Sequence, residues 1–145
     1  MSGLDQITVR VESPDPDGAD DILTGMADAL LREIHAHLAD LHLKGENHTI
    51  DLNGLPLTEA DRRQLKAALG QGEVRIHVEC AGPSEVYETA YAGVWWVDHR
   101  NGLGASAVQH IEIARTPAIV PAHPDDIADA VVRLEAALKD AAEQD

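Results

Sequence analysis

The hydrophobic pattern changes period several times along the chain, and the sharpest signal is an alternation. Val74, Ile76, Val78 and Cys80 alternate with Arg75, His77, Glu79 and Ala81, and a period of two predicts a strand buried on one face. A turn is expected at Ala81-Gly82-Pro83-Ser84. Beyond it, Val86 to Tyr91 and Val94 to Val97 concentrate β-branched and aromatic residues, so the chain should return as the second arm of a hairpin. Gly93 interrupts that arm and marks a bulge or a close backbone approach. Upstream, from about Asp20, the spacing is helical: Leu23, Met26, Leu30, Ile34, Leu38 and Leu41 recur every three or four residues, with Asp20 and Asp21 at the start and Lys44-Gly45 at the end. Gly45 suits the left-handed position that closes a helix.

The remaining elements follow from the same reasoning. Ile7, Val9 and Val11 form a short alternating run, read as an edge strand, before a Pro-rich linker at residues 13–18. Ile50 to Leu57 reads as a short extended piece and a turn, and Thr58 as the N-cap of a second helix, with Asp61 at its third position and Leu65, Ala68 and Leu69 on its apolar side. Asp98 to Gly104 reads as a polar loop, Val108 to Ala114 as a strand, and Thr116 to Pro124 as extended because of its three prolines. Pro124 then opens a last helix with Ile127, Val131, Leu134, Leu138 and Ala141 on one face. The expected architecture is α+β, a mostly antiparallel sheet with about three helices packed on it, in a single domain over residues 1–145.

Charge narrows the function classes. The chain of 145 residues has 26 acidic against 11 basic side chains, a formal net charge of -15, which repels nucleic-acid backbones and anionic lipid surfaces. Nucleic acid is not an expected partner. The single cysteine, Cys80, forms no internal disulfide and lies on the apolar side of its strand, so it reads as a small buried hydrophobe. With no apolar segment after a basic N-terminal region, membrane insertion is not expected and the cytoplasm is the expected location.

Catalytic signatures are missing. Ser2, Ser13, Ser84 and Ser106 lie outside any nucleophile-elbow setting, and Gly70-Gln71-Gly72 leads from helix to strand, the reverse of the order that aims amides at a phosphate. Eight histidines raise a metal question, but their spacing matches no zinc framework. His35 and His42 read as a solvated helix flank, while His77, His110 and Glu112, on neighbouring predicted strands, carry the alternative of a small-ligand or metal-delivery protein.

Two motifs in order carry a resemblance. Leu69 to Val74, LG-x-GEV, followed by Glu88 to Trp95, ET-x-Y-x-GVW, resembles the conserved region of the HupH/HyaF/HoxQ hydrogenase expression proteins, accessory factors for membrane-bound nickel-iron hydrogenases. Ile50-Asp51-Leu52 with Leu55-Pro56-Leu57 and Asp61 resembles its lead-in, and Ile111-Glu112-Ile113 with Pro117 its exit, so the likeness runs from about Leu41 to Leu138. Family members often carry the conserved region more than once, whereas this chain has room for one copy. The resemblance implies a non-enzymatic, chaperone-like accessory protein without a cofactor of its own, whose partners are a hydrogenase small-subunit precursor and other maturation proteins; self-association is left open. It marks Gly70, Gly72, Glu73 and Gly93 as motif structure and Glu88, Tyr91 and Trp95 as a partner-binding hairpin. Because Trp95 and Trp96 must point to opposite faces, one indole is expected to be exposed or at a subunit contact.

Overall fold

The computed structural model describes residues 20–79, 82–103 and 105–144; the expected N-terminal strand, the linker after it and Cys80 lie outside them. The described chain divides into two compact units, one up to Arg115 and one from Thr116. In order, the elements are α1 (Met26–Lys44), β1 (His48–Asp51), α2 (Glu59–Leu69), β2 (Arg75–Glu79), β3 (Pro83–Glu88), β4 (Val94–Arg100), β5 (Ser106–Ile113) and α3 (Pro124–Gln144). The strands form one antiparallel sheet in the order β1-β5-β4-β3-β2. The fold is α+β, as the periodicities imply.

The expected hairpin is a three-stranded meander. β3 ends at Glu88 and β4 begins at Val94, so the run read as one arm folds back on itself and Gly93 belongs to the turn. The bulge signal was misplaced as well: the irregular register lies between His99 and Arg100. Asp98 to Arg100, expected in a loop, continue β4, where Asp98 accepts from the Ser106 hydroxyl at 2.7 Å and pairs with Arg100 at 3.2 Å.

Side-chain alternation sets the core. Val94 and Trp96 of β4, Ile111 and Ile113 of β5 and Ile50 of β1 join Ala27, Leu30 and Ile34 of α1 and Leu65 and Leu69 of α2 in the main cluster. The opposite sheet face carries a second, smaller cluster of Val86, Trp95 and Val97 with Ile76 packed against it. Apolar burial of this kind is the main driving force for the fold, at roughly 25 cal/mol per Å² removed from water.

α1 starts later than its spacing predicts. Ile22 and Leu23 are exposed, and the helix begins after Gly25. The reason is Asp61, whose carboxylate accepts from the Thr24 amide at 2.9 Å, the Thr24 hydroxyl at 2.6 Å and the Thr58 amide at 3.1 Å. Thr58 in turn accepts from the Asp61 amide at 3.0 Å, which completes a capping box at the start of α2, and donates its hydroxyl to the Ile22 carbonyl at 2.7 Å. The segment before α1 is thus fastened to the N-terminus of α2 instead of extending the helix. Burial pushes the Asp61 carboxyl upward, but the hydrogen bonds from Thr24 and Thr58 outweigh it and hold the group below its ordinary range. The other end of α1 closes as expected, with Gly45 at φ 71° and its amide donating to Leu41.

In the second unit, a turn joins the Val120 amide to the Pro117 carbonyl at 3.0 Å, and α3 follows with the Asp125 amide donating to His123 Nδ1 at 3.1 Å. Ile127, Val131, Leu134 and Leu138 occupy one exposed face of α3.

Candidate functional site

The two sequence motifs form one piece of structure. The Gly72 amide donates to the Glu88 carbonyl at 2.7 Å, the Glu88 amide to Val74 at 2.9 Å, and the Ala90 amide to Leu69 at 2.9 Å. The chain leaving α2 therefore lies along the end of β3. A Cβ at Gly72 would stand 2.5 Å from the Thr89 carbonyl oxygen, so glycine is required there by close approach, not by backbone angle. Glu73 is exposed beside it.

The β3–β4 turn is held from within. The buried Thr89 hydroxyl donates to the Tyr91 carbonyl and accepts from the Tyr91 amide, both at 3.1 Å, and the Thr89 amide donates to Val94 at 2.9 Å. Gly93 takes φ 89°, and a Cβ on it would approach Leu41 and Leu38 of α1 at 3.2 and 3.3 Å. Motif glycines at 70, 72 and 93 thus bring the ends of α1 and α2 onto one turn.

Where these parts meet lies an apolar cavity of about 280 Å³, lined by Leu31, Ile34, His35 and Leu38 of α1, Ala68 and Leu69 of α2, and Tyr91 and Val94. Tyr91 remains 54% exposed, a ring with an apolar body and a polar tip at an apolar cleft, the kind of group that anchors protein contacts. Leu31 is the lining residue that the helical spacing did not single out; its position beside Leu30, which widens the apolar face, is the signal that could have found it.

Glu88, Tyr91 and Trp95 do not share a surface. Glu88 pairs directly with Trp95 across the strands, and Trp95 in turn with Glu112. Tyr91 lines the cleft with Val94, on the side of Trp96. Both indoles are buried, Trp95 at 5% and Trp96 at 1% exposure, so the expected open tryptophan is not found. The two do occupy opposite faces, but each face of β4 has its own apolar cluster, and the Trp95 Nε1 proton is given to the Ala114 carbonyl at 2.9 Å.

Nor does the sheet gather His77, His110 and Glu112. His77 pairs with Glu85, which pairs with Asp98, whereas His110 pairs with Val97 and Asp51, and by alternation these rows lie on opposite faces. His77 sits between Glu85 at 2.6 Å and Glu79 at 2.7 Å, and hydrogen bonds from its ring to Glu79 and Glu85 raise its pKa. His110 lies 3.6 Å from Glu112 with the His99 ring 5.5 Å away; burial lowers its pKa despite that carboxylate. His99 Nδ1 is 2.8 Å from the buried Ser84 hydroxyl. Among the described residues no three such side chains are placed to hold a metal ion, and no helix is long and apolar enough to cross a membrane.

Comparison with known proteins agrees with the two motifs. Residues 25–141 match the family described as HupH hydrogenase expression protein, C-terminal conserved region. The chain is 36% identical over 111 residues to the hydrogenase expression/formation protein HupQ of Azotobacter chroococcum mcd 1, covering 77% of this chain and 38% of that protein. It is 30% identical over 119 residues to the hydrogenase-1 operon protein HyaF of Escherichia coli strain K12, covering 82% and 40%. The chain therefore spans about two fifths of the curated relatives it matches. The solved structure of the hydrogenase expression protein HupH from Thiobacillus denitrificans ATCC 25259 superposes with a TM-score of 0.78 at 46% identity, covering 81% of this chain and 98% of that one. The shared fold, the matched region and the glycine-built turn together show that this chain belongs to the HupH hydrogenase expression protein family, through its C-terminal conserved region.

Proposed function

We propose that the protein is a non-enzymatic, chaperone-like assembly factor that binds the iron-sulfur small-subunit precursor of a nickel-iron hydrogenase in the cytoplasm during maturation. The observation that carries this reading is the cleft between α1 and α2, because motif residues Leu69, Tyr91 and Val94 line it beside Leu31 and Leu38. An apolar side chain of the precursor would fill it, with Tyr91 as the anchor. Glu88 and Trp95 act from the neighbouring strand pair, where Trp95 holds the hairpin that carries the turn. The net charge of -15 favours a basic partner and speeds encounter by electrostatic steering.

The test is co-purification of the tagged full chain with a hydrogenase small-subunit precursor under anaerobic co-expression. Association is expected with the wild type and is expected to be lost with Tyr91→Ala. No association of the wild type overturns the partner, and undiminished association of a folded Tyr91→Ala variant overturns the site.

A further inference from the structure

The apolar stripe of α3 stands open. Ile127, Val131, Leu134, Leu138 and Ala141 recur at intervals of four and three along a helix of 21 residues, about 31 Å long at the rise of an α-helix. No residue of α3 is buried, and the four large side chains of the stripe are 53–64% exposed. A helix in water draws most of its stability from packing such a face, and a contiguous apolar surface marks a place of association. The stripe lies within the matched residues 25–141, so it is part of the conserved region.

The first unit has the matching feature. Its cleft presents Leu31, Ile34, Leu38, Leu69 and Tyr91 around about 280 Å³ of space, and Ala68 of α2 is an exposed part of its lining. That volume takes side chains and not a whole helix. An occupying helix would lie across the mouth and send residues about one turn apart into it, the mode in which positions i, i+3 and i+7 act as anchors. Val131, Leu134 and Leu138 have that spacing. Charge agrees with shape. α3 carries six acidic side chains against Arg133 and Lys139, whereas α2, one wall of the cleft, is the described helix in which basic groups prevail, Arg62, Arg63 and Lys66 against Glu59 and Asp61.

We propose that two copies of this chain associate by exchanging α3, the helix of each lying in the α1–α2 cleft of the other. Reciprocal exchange uses the same two surfaces twice and closes the assembly at two copies, without growth into a filament. The formal charge of -15 on each copy opposes approach, but such repulsion is screened beyond about 8 Å at physiological ionic strength, and the side chains in the cleft meet at much shorter range. The inference rests on the cleft and on α3, whatever the identity of the precursor. Helix and precursor then compete for one apolar lining, which self-association keeps covered until the precursor displaces α3.

Sedimentation equilibrium of the full chain at neutral pH reads the association, with circular dichroism to show that each variant is folded. The wild type is expected to be a dimer at micromolar concentration. Leu134→Asp, in the middle of the stripe, should raise the dissociation constant by about thirtyfold or more, the scale of an interface anchor. Ala68→Glu, at the cleft, should do the same. Val132→Asp makes the same kind of change on the far side of the helix, where Val132 is 64% exposed, and should leave the dimer intact. Mixing the Leu134→Asp and Ala68→Glu proteins should recover part of the association, because one supplies an intact cleft and the other an intact helix. A monomeric wild type, or an equal loss in Val132→Asp, overturns the exchange. Loss of the dimer in Leu134→Asp but not in folded Ala68→Glu, or no recovery in the mixture, means that the helices pair with each other and overturns the cleft as their seat. Capture of the precursor is read separately, so a monomeric chain that still captures it would sink this inference and leave the proposed function standing.

Discussion

Removing the Asp61 carboxylate should release three donors at once. The Thr24 amide, the Thr24 hydroxyl and the Thr58 amide all end on this side chain, which is fully buried. Each orphaned donor costs about 1–3 kcal/mol when water cannot replace the acceptor, and a lost cap about 1 kcal/mol. The Thr24 and Thr58 groups are only partly buried, so water recovers part of the loss and about 3 kcal/mol is expected for Asp61→Ala, a large share of a typical 5–15 kcal/mol. Asp61→Asn keeps one acceptor but turns an amide donor toward donors, and should cost about 2 kcal/mol. Because the folded-state pKa is depressed, the ionised carboxylate stabilises fully above its ordinary value of 3.8 and loses that effect as pH falls through the lower folded value. Urea denaturation of wild type and both variants, at about pH 7 and again at about pH 3, measures the difference directly. The gap should narrow at the acid end. A loss below about 1 kcal/mol for Asp61→Ala, or a gap between wild type and Asp61→Asn that ignores pH, would refute the reasoning.

Gly72→Ala drives a methyl group to 2.5 Å from the Thr89 carbonyl oxygen, and denaturation should show a loss of about 1–3 kcal/mol. Tyr91→Ala should leave stability nearly unchanged and weaken precursor binding by about 2 kcal/mol in calorimetric titration, whereas Trp95→Ala should cost roughly 3–5 kcal/mol of stability. For His77, whose pKa is raised by Glu79 and Glu85, the protonated ring stabilises fully below its ordinary 6.5, and the effect disappears as pH rises through the higher folded value; His77→Gln should therefore destabilise below that window and be neutral above it in paired thermal melts. If acidic charge steers the partner, the association rate measured in stopped flow should fall as salt is raised, since fields are screened beyond about 10 Å at 0.1 M.

Local chemistry was written plainly in the chain. The alternation of β2, the apolar spacing of α1 from Met26 onward, Thr58 as the cap of α2 and Gly45 as the close of α1 depend on neighbours within a few residues, and each appears where the sequence places it. The order of the two motifs was also legible, and it led to the family. What the sequence could not decide depended on contacts between distant segments. The start of α1 was set by Asp61, 37 residues from Thr24, and helical spacing carries no record of a hydrogen bond at that distance. Gly93 signalled a special backbone without saying whether it bent a strand or closed a turn; only the packing of Leu38 and Leu41 against it distinguishes the two. Alternation put Trp95 and Trp96 on opposite faces, yet burial of both was a tertiary outcome, because a face is exposed only when nothing else covers it. The cleft at Tyr91 has the same origin. It exists because close approach at Gly72 and a left-handed turn at Gly93 bring two helices and a hairpin to one point, and no single stretch of sequence contains that point.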